Sequence, residues 1–304
     1  MKKSIIAIAV SSAALASVSV QAAEGSTVDI YGNIQYAYSD TDAGDDFADN
    51  GSTIGLKGET QINDDLTAFF KYELEFDADQ KEDGGKSSLD QAFVGLEGNF
   101  GKVQVGSFDT IYNNAIQDSV DQYEYLGMTN AGDTDEGDTI AYFSPSFNGL
   151  EVQVATQVKG DAVNENGNPV NDNDGTSSMA VVKYSMDMMS VALGYDSRDN
   201  IKDAEATTGL SVTAMPMENL SVTAKYETTK DTQDIYGLAA RYGYGAGDVY
   251  ASFQNVDPDG SDDYNESAVG VTYSLASNVY VFGEVGELSD TTDTQTAVGV
   301  YYGF

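Results

Sequence analysis

Through most of the chain, apolar side chains occupy every second position and small or polar ones fill the gaps. Val28, Ile30, Gly32, Ile34, Tyr36 and Tyr38 share one parity, against Asp29, Tyr31, Asn33 and Gln35 on the other. Leu66, Ala68, Phe70, Tyr72, Leu74 and Phe76 oppose Thr67, Phe69, Lys71, Glu73, Glu75 and Asp77. The scheme returns at Leu150, Val152 and Val154 against Glu151 and Gln153, and at Leu220, Val222, Ala224 and Tyr226 against Ser221, Thr223, Lys225 and Glu227. It ends at Thr296, Val298, Val300, Tyr302 and Phe304. A two-residue period belongs to a strand with one apolar and one wet face. In residues 90–97 and 279–284 the pattern leaves either face free to point outward.

Nearly every charge in these strands lies on the non-apolar parity. A Lys or Arg facing mid-bilayer hydrocarbon costs roughly 2–4 kcal/mol, which accounts for their exclusion from the other face. Turn-rich segments divide the chain into about sixteen such stretches, joined alternately by short and long connectors. The short ones are Gly, Asn, Asp and Pro turns, as in Asn63-Asp-Asp65, Phe147-Asn-Gly149 and Ala276-Ser-Asn278. The long ones, 40–50, 78–87, 109–136, 160–175, 199–203 and 257–263, are rich in Asp, Gly and Asn. The pattern predicts an all-β transmembrane antiparallel barrel of 16 strands, with lipid outside and water within. A soluble sandwich would also alternate, but its apolar rows would vary in length and end in polar edges. Tyr often ends an outward row, as at Tyr36, Tyr38, Tyr195, Tyr242, Tyr244 and Tyr302; an interfacial girdle and plain strand propensity account for this equally well.

The N-terminus adds a processing step. Met1-Lys-Lys-Ser, an apolar run to Val20 and the small-x-small site Val20-Gln-Ala22 read as a secretory signal peptide, 1–22, followed by one barrel domain, 23–304. Losing Lys2 and Lys3 takes the net charge from −36 to −38. No cysteine is present for a disulfide or thiolate site, and no histidine for the usual general base or zinc ligand. An enzyme is not expected, nor a cofactor or metal. The acidic excess excludes nucleic acid as a partner. Acidic strings such as Asn171-Asp-Asn-Asp-Gly175 and 257–263 lack the EF-hand pattern and read as solvated outer loops. Bridging of divalent cations to lipopolysaccharide is a further expectation for them.

Several segments, in order from end to end, carry a family likeness: Thr27-Val-Asp-Ile-Tyr-Gly-Asn33, Ile54-Gly-Leu-Lys-Gly-Glu-Thr-Gln-Ile-Asn63, Ala92-Phe-Val-Gly-Leu96, Gly101-Lys-Val-Gln-Val-Gly106, Tyr142-Phe-Ser-Pro-Ser-Phe-Asn-Gly-Leu150 and Val300-Tyr-Tyr-Gly-Phe304. The chain resembles the general trimeric porins of Gram-negative outer membranes. The resemblance implies sixteen strands with short periplasmic turns, long external loops, a homotrimer, and a third loop folded into the lumen. It also implies that Phe304 serves as the address for barrel insertion. Two departures bear on charge. The family's Pro-Glu-Phe-Gly-Gly loop motif is replaced by Tyr123-Glu-Tyr-Leu-Gly127, and Thr53 and Asp90 stand where many members place arginine.

The connector 109–136 falls where the third loop should lie, and it carries apolar anchors from Ile111 to Met128. A short helix over 115–125 would set Asp118, Asp121 and Glu124 along one side. These three are the expected acidic constriction; a solvated loop face is the bland alternative. Basic wall positions are Lys57, Lys71, Lys183, Arg198, Lys225 and Arg241, and Glu59, Glu73 and Glu75 are acidic ones. The expected function is passive diffusion of small hydrophilic solutes and ions, with cation preference, since a narrow low-dielectric passage concentrates the field of its lining groups. A sugar-specific channel with Tyr31, Phe69, Tyr280 and Phe282 as an aromatic slide is one alternative. A non-conducting adhesin is another.

Overall fold

The computed structural model describes residues 18–19, 26–41, 44–80, 87–134, 136–163, 168–288 and 294–304. Cleavage after Ala22, and most of the expected leader, lie outside the described residues; Val18 and Ser19 pair with Ile30 and Asp29.

Sixteen strands form one closed wall. β1 (Ser26–Thr41), β2 (Thr53–Asn63), β3 (Leu66–Phe76) and β4 (Ser87–Gly98) lead to β5 (Gly101–Ser107) and β6 (Thr139–Phe143). The long hairpin β7 (Leu150–Val163) and β8 (Pro169–Met186) follows, then β9 (Met189–Asp196), β10 (Thr207–Met217), β11 (Leu220–Thr229) and β12 (Gln233–Gly243). The last four are β13 (Asp248–Pro258), β14 (Tyr264–Ala276), β15 (Val279–Glu287) and β16 (Thr294–Gly303). Each pairs antiparallel with the next. β16 returns to β1, with Val300 opposite Tyr36. A further strand, Gly44–Asp49, doubles back on the end of β1 and is not part of the ring.

β1 makes the seam. Its first half pairs with β2 from Ser26–Thr60 to Asn33–Thr53, and its second half with β16. The terminal residue completes the junction, as Phe304 N–H donates to Gly32 O (2.9 Å) and Gly32 N–H to Phe304 O (3.0 Å). A Cβ on Gly32 would lie 2.5 Å from Thr53 O and 2.8 Å from the Phe304 ring, so the seam demands glycine there. Closure joins the last strand of the ring to the first, the condition hydrocarbon imposes on a spanning sheet.

Burial follows parity. Val152, Val154, Leu193, Leu238, Phe253, Val269 and Val271 are exposed on the outside, while Gln153, Gln157, Lys225, Glu227, Gln254, Glu266 and Glu284 are buried on the inside. The molecule is apolar without and polar within. The two ambiguous stretches are resolved: Val94 and Leu96 point out, as do Val281 and Val285, while Phe282 and Glu284 point in. In β4 a bulge opposite Glu73 and Leu74 inserts Asp90 into the register. That extra residue is what obscured the alternation.

The short turns lie at the expected places. At Asn148 (φ 51°) and Gly149 (φ 90°) both central residues take positive φ, the backbone of a tight hairpin turn. Two expectations need correction. The connector expected at 160–175 is largely strand, because β7 and β8 stay paired to Val163 and Pro169. The helix expected over 115–125 lies earlier: α1 spans Ile111–Ala115, and one 3-10 turn covers Gln117–Ser119.

Candidate functional site: the segment between β5 and β6

Residues 108–138 join β5 to β6 and are tied to the inward face of the wall along their length. Thr110 caps α1, its hydroxyl accepting the Asn113 N–H (3.0 Å). Tyr112, Ile116 and Val120 are wholly buried, and Ile111 nearly so. Ile111, Tyr112 and Ile116 pack with Phe108 against Ala141, Ala155, Met179, Val181 and Ala192, small or apolar inward residues of β6–β9. Two glycines make the seat. A Cβ at Gly194 would lie 2.8 Å from Ile116, and one at Gly209 only 2.2 Å from it. Each fully buried side chain of this size contributes about 1.5–3 kcal/mol, so the anchors outweigh the ordering of a few residues.

Beyond Val120 the segment is held by apolar packing of Leu126, Met128 and Ala131 and by polar contacts, among them those of three buried carboxylates. Glu284 accepts the N–H groups of Glu124 (2.6 Å), Tyr125 (3.1 Å) and Leu126 (2.9 Å), and the Tyr250 hydroxyl (2.7 Å). Glu266 accepts the N–H (3.0 Å) and hydroxyl (2.6 Å) of Thr129, and the Gln254 amide (2.7 Å). Glu227 accepts from Ala131 N–H (3.2 Å), Gln117 (2.9 Å), Tyr112 (3.3 Å) and Lys225 (3.2 Å). Charge-assisted bonds of this kind are roughly twice as strong as neutral ones. The sequence reading placed Glu227 on the wet parity but assigned none of the three a role. For Glu227 the wet parity is the one visible signal, and the pattern leaves the face of Glu284 open.

The expected acidic row divides. Asp118 is exposed, and crowding by protein, then the charges of Asp109 and Asp121, push its carboxyl up to about 6. Asp121 accepts the Met128 N–H (3.1 Å) and folds the segment back on itself. Glu124 accepts the Tyr280 hydroxyl (2.7 Å). Burial raises the carboxyls of both. They do not share a helix face, because no helix continues past Ser119.

The basic positions divide as well. Lys71 pairs with Glu73 (2.7 Å), Lys225 with Glu227 (3.2 Å) and Arg241 with Asp248 (3.1 Å). Lys225 is buried rather than open to the passage, and Arg241 also donates to Gln122 O (3.4 Å). Lys57 and Lys71 lie over the Tyr31 ring at 5.2 and 5.8 Å. Arg198 is not a strand residue: it follows the end of β9, with φ 53°, and donates to Asp133 O (3.1 Å). Glu59 and Glu75 are exposed. Lys183 lines a cavity of about 600 Å³ between α1 and the inward faces of β4–β8.

No histidine or cysteine stands in this arrangement and the acids are engaged in holding backbone, so the chemistry on offer is charge and hydrogen bonding along a wet interior. The comparisons agree with that geometry. A family model described as Gram-negative porin matches residues 4–294. A "Monosaccharide porin" of Halomonas sp and the "Major outer membrane protein" of Halomonas elongata are each 34% identical, over the full length of both chains. Outer membrane porin F of Salmonella typhimurium is 30% identical over 67% of this chain and 60% of its own. Salmonella typhi OmpF, solved with daunomycin, shares the fold at a TM-score of 0.75 and 21% identity, over 94% of this chain and all of that one. An anion-selective porin from Comamonas acidovorans does so at 0.71 and 17%, over 92% and 100%. A closed sixteen-strand wall with its apolar face outward, matched end to end by these proteins, makes this chain a member of the Gram-negative porin family, a β-barrel channel of the outer membrane and not an enzyme.

Proposed function

We propose that the protein passes small hydrophilic solutes and ions by passive diffusion, with a preference for cations, through a lumen narrowed by residues 108–138. The observation that carries the preference is the state of the wall charges. Lys71, Lys225 and Arg241 each hold a carboxylate, whereas Asp118 is open to solvent with no ion-pair partner among the described residues. At Asp118 the uncompensated charge is therefore negative. Contacts of the segment with Glu227, Ser252, Glu266 and Glu284, all on the inward parity, support its place across the passage. The resemblance to an anion-selective porin at 17% identity bears on the fold alone. Reversal potentials of the reconstituted protein in a KCl gradient test the reading. A potential of the sign set by K⁺ is expected; one set by Cl⁻, or no current, would contradict it.

A second reading, a channel suited to monosaccharides, is favoured by the name of one full-length relative and by inward aromatic side chains. Tyr280 stacks on Tyr301 (4.7 Å), and Phe69, Phe93 and Phe108 run edge to face at 6.2 and 5.8 Å. Saturable block of ion current by a hexose would favour it. Assembly as a homotrimer, contact with lipopolysaccharide, removal of 1–22 and recognition of Phe304 during insertion belong to the same proposal. A heat-sensitive oligomer band of about three chain masses on a native gel is the expected sign of the trimer.

A further inference from the structure

The cavity between α1 and strands β4–β8 brings two lysines into one space. Lys102 and Lys183 both line it, and neither has a carboxylate at ion-pairing distance among the described residues. In a chain with 50 acidic residues against 14 basic ones, two unpaired ammonium groups in one cavity stand out. Lys71, Lys225, Lys230 and Arg241 are all paired. Three acids share the cavity, Glu97, Asp109 and Glu151; Gln153 donates to Glu151 (2.5 Å) and Gln91 to Asp109 (3.1 Å). Among the described residues no ion pair takes up either ammonium group, so a ligand that brings acceptors finds donors there. A charge-assisted contact to a carboxylate is the strongest that two ammonium groups can make.

Aromatic surface completes the site. Lys102 Nζ lies 4.0 Å from the centre of the Phe143 ring, and Phe93 lines the same space with its edge toward Phe108 (5.8 Å). A ring with a cation over it and polar groups around it suits a solute with one apolar face and many hydroxyls. The cavity, about 600 Å³, is in the usual range for small-molecule sites, roughly 300–1,000 Å³, and is open enough to be filled by diffusion.

We propose that this cavity binds a sugar acid, a pyranose-sized polyol with one carboxylate, whose anionic end lies between Lys102 and Lys183 and whose ring lies against Phe143 and Phe93. The Gln91–Asp109 and Gln153–Glu151 pairs then meet the hydroxyl end and set its direction. The inference rests on the conducting-channel reading, because the solute reaches the cavity through the lumen. It adds a local anion-holding station to an interior that is acidic elsewhere.

The test titrates the full-length, refolded or extracted protein with glucuronate, glucose and acetate. Binding is read both by calorimetry and by block of single-channel ion current. Glucuronate is expected to bind at least tenfold more tightly than glucose or acetate. Lys102→Met with Lys183→Met should erase that margin, and the double Arg variant should keep most of it. Heat-modifiable migration on a gel shows that each variant is folded. Equal binding of glucuronate and glucose, tight binding of acetate alone, or an unchanged margin in the double Met variant would overturn the proposal. If no ion current flows, the conduction reading fails, and calorimetry still decides the site.

Discussion

At the scale of single residues, the inward face separates charges that shape the passage from charges that build it. On the function proposed above, Asp118 belongs to the first group. A unit charge about 4 Å from a passing ion is worth about 1 kcal/mol in water-like surroundings, or roughly a fivefold bias. Asp118→Asn is therefore expected to lower the cation-to-anion permeability ratio several-fold in bilayer recordings; an unchanged ratio would remove Asp118 from the filter. Its carboxyl is pushed up to about 6 by crowding and by Asp109 and Asp121, with Lys225 acting against them. A raised carboxyl pKa means that the negative charge is lost as pH falls through that value. Cation preference should thus drop between pH 7 and pH 5 in the wild type and stay flat in Asp118→Asn. Glu284 belongs to the second group. Glu284→Ala would strip the acceptor from three backbone N–H groups, at about 1–3 kcal/mol for each donor left buried and unpaired. Faster proteolytic cleavage around residues 120–130 and noisier open-channel current are the expected signs, and wild-type cleavage rates would argue against the clamp.

At the scale of elements, the strands were legible and the segment between β5 and β6 only half so. Alternation reads directly from sequence, because each strand residue has only two directions in which to point. It failed where a bulge at Asp90 broke the period, and where the described part of the Asn- and Asp-rich stretch 160–175 continued as a paired ribbon. Composition there signals a loop, but the pairing of β7 with β8 overrides it. The segment's apolar anchors announced that it packs on something. Its clamps did not, since Glu284 meets Glu124 across 160 residues of chain and the pattern over 279–284 leaves its face open. The glycine seat was invisible for the same reason. Gly209→Val would bring a side chain within 2.2 Å of Ile116 and displace the segment. A larger, less uniform conductance is expected from that variant, and an unaltered one would mean that the seat plays no part.

At the scale of the whole molecule, one inversion underlies everything else: hydrocarbon meets the apolar rows, and water meets the charges. Closure at the Gly32–Phe304 seam makes the inversion possible, because it joins the last strand of the ring to the first. The charge pattern of the interior, the seating of the segment and the cavity at Lys102 and Lys183 all presuppose a wet inner face. The chain contains no cysteine, so single substitutions can address that face without background. Leu56 and Lys57 are adjacent in β2, both exposed, on opposite parities. In the reconstituted protein, Lys57→Cys should react quickly with a charged, membrane-impermeant thiol reagent and lower the ion current. Leu56→Cys should resist that reagent and report a lipid-soluble quencher instead. The reverse pattern, or equal reaction at both positions, would contradict a water-filled barrel facing lipid.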